Sequence, residues 1–149
     1  MNLLPLDRQP PFRPRRFIPA DLALGDWAAV GPWFDRLETA ATACESARAL
    51  ESWLVDWGEL SAALDEESAR RYIAMTSHTD DPQAERAYLD FVEQMDPQIK
   101  PRQFALAKCF LQHPFRSWLP HPRYAVFDRD TQLQVELFRP ENVALETEE

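Results

Sequence analysis

Glu45–Asp96 reads ESARALESWLVDWGELSAALDEESARRYIAMTSHTDDPQAERAYLDFVEQMD, and this stretch decides the fold. From Leu50 to Met75, apolar or small side chains recur every three or four residues, which places them on one face of an α-helix. The stretch therefore predicts a long amphipathic helix, a turn at Ser77–Asp81 and a second helix. The predicted buried stripe comprises Leu50, Trp53, Leu54, Trp57, Leu60, Ser61, Leu64, Ser68, Tyr72 and Met75.

The other faces of the long helix carry its charged residues and are interpreted as solvent-facing. Gly58 costs about 1 kcal/mol relative to alanine inside a helix. Its position beside Trp57 predicts either close packing or a bend. The charged residues assigned to the exposed faces are Glu51, Asp56, Glu59, Asp65, Glu66, Glu67, Arg70 and Arg71.

The second helix begins at Pro82, because proline is tolerated in the first helical turn and Asp80 or Asp81 supplies the N-cap oxygen. Pro97 disfavours the helical conformation of the residue before it, so this helix is predicted to stop at Asp96. Pro101 then opens a shorter helix with Phe104, Ala107 and Leu111. The apolar face of the second helix comprises Ala84, Tyr88, Phe91, Val92 and Met95.

Two further helices flank this region. The first is capped by Asp26, although its stable part is alternatively predicted to start at Pro32. Its apolar face comprises Trp27, Val30, Phe34, Leu37, Ala41 and Cys44. The last spans about Tyr124–Phe138, with a strand in part of this region as the competing interpretation. Its two apolar faces comprise Tyr124, Phe127, Thr131 and Phe138 on one side and Val126, Leu133 and Leu137 on another.

Residues 1–20 contain five prolines, which fix φ and remove backbone donors, so an extended arm is predicted there. The Pro11–Pro14 segment matches a minimal PxxP pattern but is interpreted as part of a packed or frayed arm. The predicted fold class is all-α, a multi-helix antiparallel array with an extended Pro-rich N-terminal arm. Residues 1–20 form the arm and residues 21–149 the helical domain.

The length and charge of the chain limit the function. A chain of 149 residues fits one domain and can bury about 70% of its unfolded surface. Its net charge of −9 argues against a nucleic-acid partner, and the cluster Arg13, Arg15 and Arg16 is too small to reverse that. No segment approaches the roughly 20 apolar residues of a membrane helix, and no signal peptide is recognisable. A cytoplasmic location is therefore expected, with no membrane partner.

The two cysteines, Cys44 and Cys109, lie far apart in sequence and lack Cys-x-x-Cys spacing. They are interpreted as buried free thiols in a reducing compartment, with a single disulfide as the alternative. Neither cysteine has a histidine beside it in sequence, and no Gly-x-Ser-x-Gly motif or Gly-rich phosphate loop occurs.

No catalytic or metal-binding residue is assigned. His78, His113 and His121 show no i, i+4 pair, and prolines flank the last two, which predicts turn roles. His78 with Asp80 and Asp81 could hold a cation, but helix capping explains these residues more simply. Carboxylates at Asp65, Glu66 and Glu67 are interpreted as a solvated helix face. Substrate-binding residues remain unassigned.

An ordered set of short motifs runs over residues 17–149. It comprises Phe17-Ile18-Pro19-Ala20-Asp21-Leu22, Leu50-x-x-Trp53-Leu54, Glu59-Leu60-Ser61-Ala62-Ala63-Leu64-x-Glu66, Ala69-Arg70-Arg71-Tyr72-Ile73, Thr79-Asp80-Asp81-Pro82, Ala87-Tyr88-Leu89-x-Phe91 and Leu137-Phe138-Arg139-x-Glu141-Asn142-Val143-x-Leu145. In order and spacing this set resembles the N-terminal region of the oligoendopeptidase F family, which belongs to the thimet-oligopeptidase-like zinc metallopeptidases.

The resemblance implies an N-terminal, non-catalytic part of a longer, mostly helical enzyme that hydrolyses short peptides in a closed cavity. Family members bind zinc through a His-Glu-x-x-His helix and a later glutamate. No position of this chain matches that motif, so no zinc is expected in this chain. The implied partner is the catalytic remainder, against which this part packs, and short peptides bind only in the complete enzyme.

Two interpretations stay open. The first is a peptidase N-terminal segment that is inactive alone. Leu145–Glu149 reads as a helix start, which suggests an interrupted chain, although a frayed acidic tail explains it equally well. The second is a stand-alone helical protein-interaction module that retains a peptidase-like framework.

Overall fold

The computed structural model describes residues 15–120 and 122–137, and within these ranges the chain is helical without strands. The all-α prediction is confirmed. The N-terminal arm stays a prediction, because residues 1–14 lie outside the described part of the chain. The helices are α1 (Trp27–Ala43), α2 (Ala47–Ser77), α3 (Pro82–Asp90), a π-helical turn (Phe91–Met95), α4 (Asp96–Leu111), a 3-10 turn (Arg116–Trp118) and α5 (Pro122–Leu137).

Helix α1 begins where its cap was predicted. The Asp26 carboxylate accepts a hydrogen bond from the Ala28 N–H at 3.1 Å. The alternative start at Pro32 is wrong, since Pro32 lies inside the helix. Packing stabilises the helical turn before Pro32, because Val30 is fully buried and the Trp27 ring stacks on Phe34 with ring centroids 5.8 Å apart.

Helices α2 and α3 form the predicted hairpin. Helix α2 ends at Ser77, and Asp81 caps α3 by accepting the Gln83 N–H at 2.9 Å. Across the hairpin, Tyr72 meets Tyr88 edge-on with ring centroids 5.4 Å apart. Because residues close to the turn on one helix meet residues close to it on the other, the two helices run antiparallel.

The predicted stop at Asp96 and the predicted start at Pro101 are both wrong. Helical structure continues from Pro82 to Leu111 through the π-helical turn Phe91–Met95. In that turn the Asp96 N–H bonds to the Phe91 carbonyl five residues earlier, so the ladder is shifted just before Pro97. Pro97 then lies in the first turn of α4, where its missing donor is tolerated. Burial of one apolar face also stabilises the continuous helical segment. This face comprises Phe91, Met95, Ile99, Leu106 and Phe110.

One hydrophobic core joins α1, α2 and α4. The Trp53 indole N–H donates to the Leu37 carbonyl at 2.8 Å and ties α2 to α1. Arg102 of α4 bonds Asp35 and Glu38 of α1 at 2.6 and 3.0 Å. The core comprises Ile18, Val30, Phe34, Leu37, Ala41, Leu50, Trp53, Leu60, Ala63, Leu64, Phe91, Met95, Ile99, Leu106 and Phe110.

Helix α5 confirms the predicted last helix, and no strand occurs in the described residues of that region. Phe127 fixes it by contacting Trp57 and Phe110, with ring centroids 5.9 and 5.1 Å away. Of the two predicted apolar faces, the one with Phe127 and the buried Thr131 packs on the domain. The other remains open, since Val126 and Leu133 are 61% and 54% exposed. Phe138 lies outside the described residues.

Gly58 has a different role from either predicted one. Helix α2 runs unbroken through it, and nothing lies within 4 Å of the point where a Cβ would stand. Close packing beside Trp57 is therefore wrong, and the glycine only weakens the helix.

Gly58→Ala is therefore expected to raise the free energy of unfolding by about 1 kcal/mol, measured by urea denaturation. Gly25→Ala is the matched comparison, because its Cβ would collide with the Arg71 guanidinium. That change is expected to lower the free energy of unfolding by up to about 1 kcal/mol, because the end of the Arg71 side chain has to shift away from the added methyl group. Equal effects of the two substitutions would contradict this assignment.

Candidate functional site

Of the two described histidines, His113 has a structural role. Nδ1 of His113 accepts the Phe115 N–H at 3.2 Å, so Nε2 carries the proton and donates to the Ala41 carbonyl at 3.0 Å. His113 therefore ties the end of α4 to the end of α1. His78 is an exposed residue that directly follows α2. His121 lies outside the described residues.

The acidic run of α2 was predicted to face solvent, but this prediction is wrong for one of its three residues. Asp65 and Glu66 are exposed, but Glu67 is only 8% exposed. Its carboxylate pairs with Arg70 and with Arg71, the latter at 2.9 Å. A buried carboxylate needs such partners because unpaired charge is costly to remove from water. The i, i+3 and i, i+4 spacing of the three residues was the sequence signal for this cluster.

Arg71 extends the Glu67 cluster to the neighbouring elements. Its Nη1 donates to the Ala87 carbonyl of α3 at 2.9 Å, and its guanidinium lies 5.4 Å from the Phe91 ring centroid. The same guanidinium packs against Gly25 in the segment before α1. The cluster therefore joins three parts of the fold and leaves no free carboxylate at Glu67 for acid–base chemistry.

Desolvation of the Asp65 carboxylate, and second the negative charge of Asp96, raise the pKa of Asp65. The folded state therefore disfavours the ionised form. Ionisation of Asp65 therefore lowers the free energy of unfolding. This loss of stability is absent below the ordinary pKa of aspartate and appears as the pH rises through the raised pKa of Asp65.

Asp65→Asn is consequently expected to raise Tm at pH 7 and to leave it unchanged near pH 3. Thermal unfolding followed by circular dichroism at the two pH values measures the effect. Glu66→Gln, which removes the same charge at the next, exposed position, serves as the control and is expected to raise Tm less at pH 7. A pH-independent gain for Asp65→Asn would contradict the interpretation.

Cys44 and Cys109 are free, as predicted, and both are half-buried. Burial raises the pKa of both thiols, and the charge of Glu38 adds to the effect at Cys109. A raised pKa lowers the thiolate fraction at neutral pH, so neither cysteine has the character of an activated nucleophile. The Cys44 Sγ donates to the Ala40 carbonyl at 3.3 Å.

A carboxylate clamp holds the segment before α1, which the sequence did not indicate. Glu59 accepts three successive backbone N–H groups, from Arg16, Phe17 and Ile18, at 2.8–2.9 Å. The Arg16 side chain bonds Asp56 one turn earlier at 2.9 Å. Residues 16–18 are thereby fixed on α2, and Ile18 enters the core.

An apolar opening lies between α4 and α5, over α2, and we call it the α4–α5 pocket. Its volume is about 710 Å³. Polar groups in its floor already bond each other, since the Trp57 indole donates to Gln103 at 2.6 Å and Gln103 donates to Ser61 at 2.9 Å. Its lining comprises Trp57, Ser61, Pro97, Lys100, Pro101, Gln103, Phe104, Ala107, Phe127, Thr131, Gln134 and Val135.

Within residues 15–120 and 122–137, no cluster of three or more His, Cys, Asp or Glu side chains could bind a metal ion. No helix in the same ranges is long and apolar enough to cross a bilayer. The arrangement therefore offers packing surfaces and an apolar pocket.

The helical fold, the packing surfaces and the apolar pocket together are those of a helical domain that packs against other parts of a protein. Residues 21–138 match the family model described as the peptidase M3 N-terminal domain. This match covers most of the chain, so the protein belongs to the peptidase M3 N-terminal domain family. Searches of curated proteins and of solved structures returned no match. In this family zinc belongs to the catalytic part.

Proposed function

We propose that this chain is the N-terminal, non-catalytic part of an oligoendopeptidase-like zinc metallopeptidase that hydrolyses short peptides in the cytoplasm. The family match over residues 21–138 is the observation that carries the proposal. Packing of Phe17 and Ile18 on Glu59 supports it, because two separate pieces of the oligoendopeptidase-like motif set meet in space.

The chain contributes to peptide hydrolysis by packing and by excluding water. Zinc in the catalytic part would activate water and polarise the scissile carbonyl. No zinc ligand is assigned to this chain, whose sequence contains no His-Glu-x-x-His. Its helices form one wall of the substrate cavity, and a closed cavity strengthens electrostatic interactions at the reacting carbonyl.

The catalytic part is proposed to contact the open face of α5. Val126 and Leu133 lie one above the other on that face, seven residues apart, and both are exposed. Trp118 in the preceding 3-10 turn is 72% exposed. Exposed apolar groups that lie together on one face, as Val126 and Leu133 do, mark interaction surfaces.

Coexpression with a catalytic part tests the proposal. The reading frames after codon 149 and next to this gene are expected to include one with a His-Glu-x-x-His motif. The purified chain alone is expected to leave a short quenched fluorescent peptide intact, and the coexpressed pair to cleave it until a chelator removes zinc. Zinc-dependent cleavage by the chain alone, or no difference on adding it to the catalytic part, would contradict the proposal.

A stand-alone protein-interaction module is the second candidate. It is favoured by the continuous core, and by the finding that no buried side-chain polar atom in the described residues lacks a partner. Thermal unfolding and light scattering of the isolated chain separate the two candidates. The module predicts one sharp transition without association, whereas a peptidase part predicts association or a broad transition.

A further inference from the structure

The α4–α5 pocket has the size and walls of a ligand site. Its volume of about 710 Å³ falls in the range of small-molecule sites, roughly 300–1,000 Å³. The Trp57 and Phe127 rings stand at 79° to each other and form a corner against which another flat or branched apolar group can pack. Val135 of α5 is buried and also lines the pocket.

The floor of the pocket selects against polar ligand groups. The Trp57 N–H and the Gln103 amide are bonded to protein partners at 2.6 and 2.9 Å. Thr131 donates its hydroxyl to the Phe127 carbonyl at 2.7 Å. A polar ligand group would lose its water without gaining these donors, which costs free energy. The pocket therefore prefers an apolar side chain.

The charge of the pocket specifies a second ligand group. Of the described residues that line the pocket, only Lys100 is charged, and it is exposed. Among the described residues, no carboxylate lies within ion-pair distance of Lys100, although Asp96 is one helical turn away. A single cation beside an apolar pocket complements a ligand with one negative charge next to its apolar group.

We propose that the α4–α5 pocket binds the C-terminal residue of a short peptide when that residue is apolar. Its side chain packs against Trp57 and Phe127, and its terminal carboxylate pairs with Lys100. This inference rests on the proposed function, since short peptides are the substrates and products of such an enzyme. It adds a preference for an apolar C-terminal residue with a free carboxylate. It also departs from the expectation that short peptides bind only in the complete enzyme, because the pocket lies within this chain.

NMR titration of the isolated chain tests the proposal. The indole N–H signal of Trp57, assigned with Trp57→Phe, is followed as N-acetyl-Ala-Phe is added. The free acid is expected to shift this signal, and its C-terminal amide to bind about two- to five-fold more weakly, the effect of an exposed ion pair. N-acetyl-Ala-Ser is expected to leave the signal unchanged because it lacks the apolar side chain.

Lys100→Gln provides the decisive comparison. It is expected to weaken binding of the acid to the level of the amide and to leave binding of the amide unchanged. Arg48→Gln is the matched control, because it removes one positive charge at an exposed position of α2 outside the pocket lining. This control is expected to bind both peptides as the parent chain does.

Three results would overturn the proposal. They are equal binding of acid and amide by the parent chain, no shift of the Trp57 signal with any peptide at about 10 mM, and a shift with decanoate but not with the peptides. The titration measures binding without hydrolysis. If the titration shows no such binding but the coexpressed pair cleaves peptide, the pocket assignment alone is refuted. If the coexpressed pair does not cleave peptide, the proposed function is refuted.

Discussion

Trp53→Ala is expected to lower the free energy of unfolding by about 3–5 kcal/mol, measured by urea denaturation at 222 nm. Trp53 is 3% exposed, and its indole contacts the Trp57 ring with centroids 5.4 Å apart. It also donates to the Leu37 carbonyl at 2.8 Å. Truncation therefore opens a cavity at the junction of α1 and α2 and removes their buried side-chain hydrogen bond.

Trp118→Ala is the matched control, because Trp118 is 72% exposed. It is expected to change the free energy of unfolding by less than about 0.5 kcal/mol. Trp53→Phe retains most of the buried ring but not the N–H, so a loss of about 1–3 kcal/mol is expected. Similar losses for Trp53→Ala and Trp118→Ala would refute the position of Trp53 in the core.

Glu59→Ala is expected to lower the free energy of unfolding by about 2–3 kcal/mol and to free the segment before α1. The Glu59 carboxylate accepts the N–H groups of Arg16, Phe17 and Ile18. Without it these donors lose their acceptor, and Ile18 loses the contact that holds it in the core. Hydrogen exchange of the three amides, combined with urea denaturation, measures both effects.

Glu66→Ala is the control for the Glu59 substitution, since it removes a carboxylate from an exposed position of the same helix. The three amides are expected to keep their protection in that variant. Glu59→Gln retains one carbonyl oxygen and is expected to have an intermediate effect. Unchanged protection of the three amides in Glu59→Ala would show that the clamp does not fix the segment.

The sequence predicted the features that depend on neighbouring residues. Asp26 and Asp81 mark helix starts because capping joins a side chain to a backbone N–H two residues later. The apolar period of α1 predicted its core face because helical spacing alone places those residues together. The hairpin of α2 and α3 followed from the turn signals at Ser77–Asp81.

Features that depend on distant residues were not predictable. Pro97 and Pro101 indicated a break, but a shifted hydrogen-bond ladder and the burial of Phe91 and Met95 keep the helix continuous. Glu67 looked like one of three solvated acids; its i, i+3 and i, i+4 spacing to Arg70 and Arg71 allowed the ion pairs, but its burial depends on how α2 packs in the fold. The α4–α5 pocket combines side chains of α2 with those of α4 and α5, which lie much later in the sequence, so no local pattern could reveal it.

The π-helical turn also determines which side of α4 lies over α2. A π turn contains one residue more than an α turn spanning the same length, and one residue corresponds to about 100° of rotation. Removal of one residue from Phe91–Met95 would therefore rotate everything downstream by about that angle relative to α3. Lys100 and Gln103 would leave the pocket, and Arg102 would leave Asp35 and Glu38. The rotation of α4 and of the elements that follow it, relative to α3, thus depends on a single inserted amino acid.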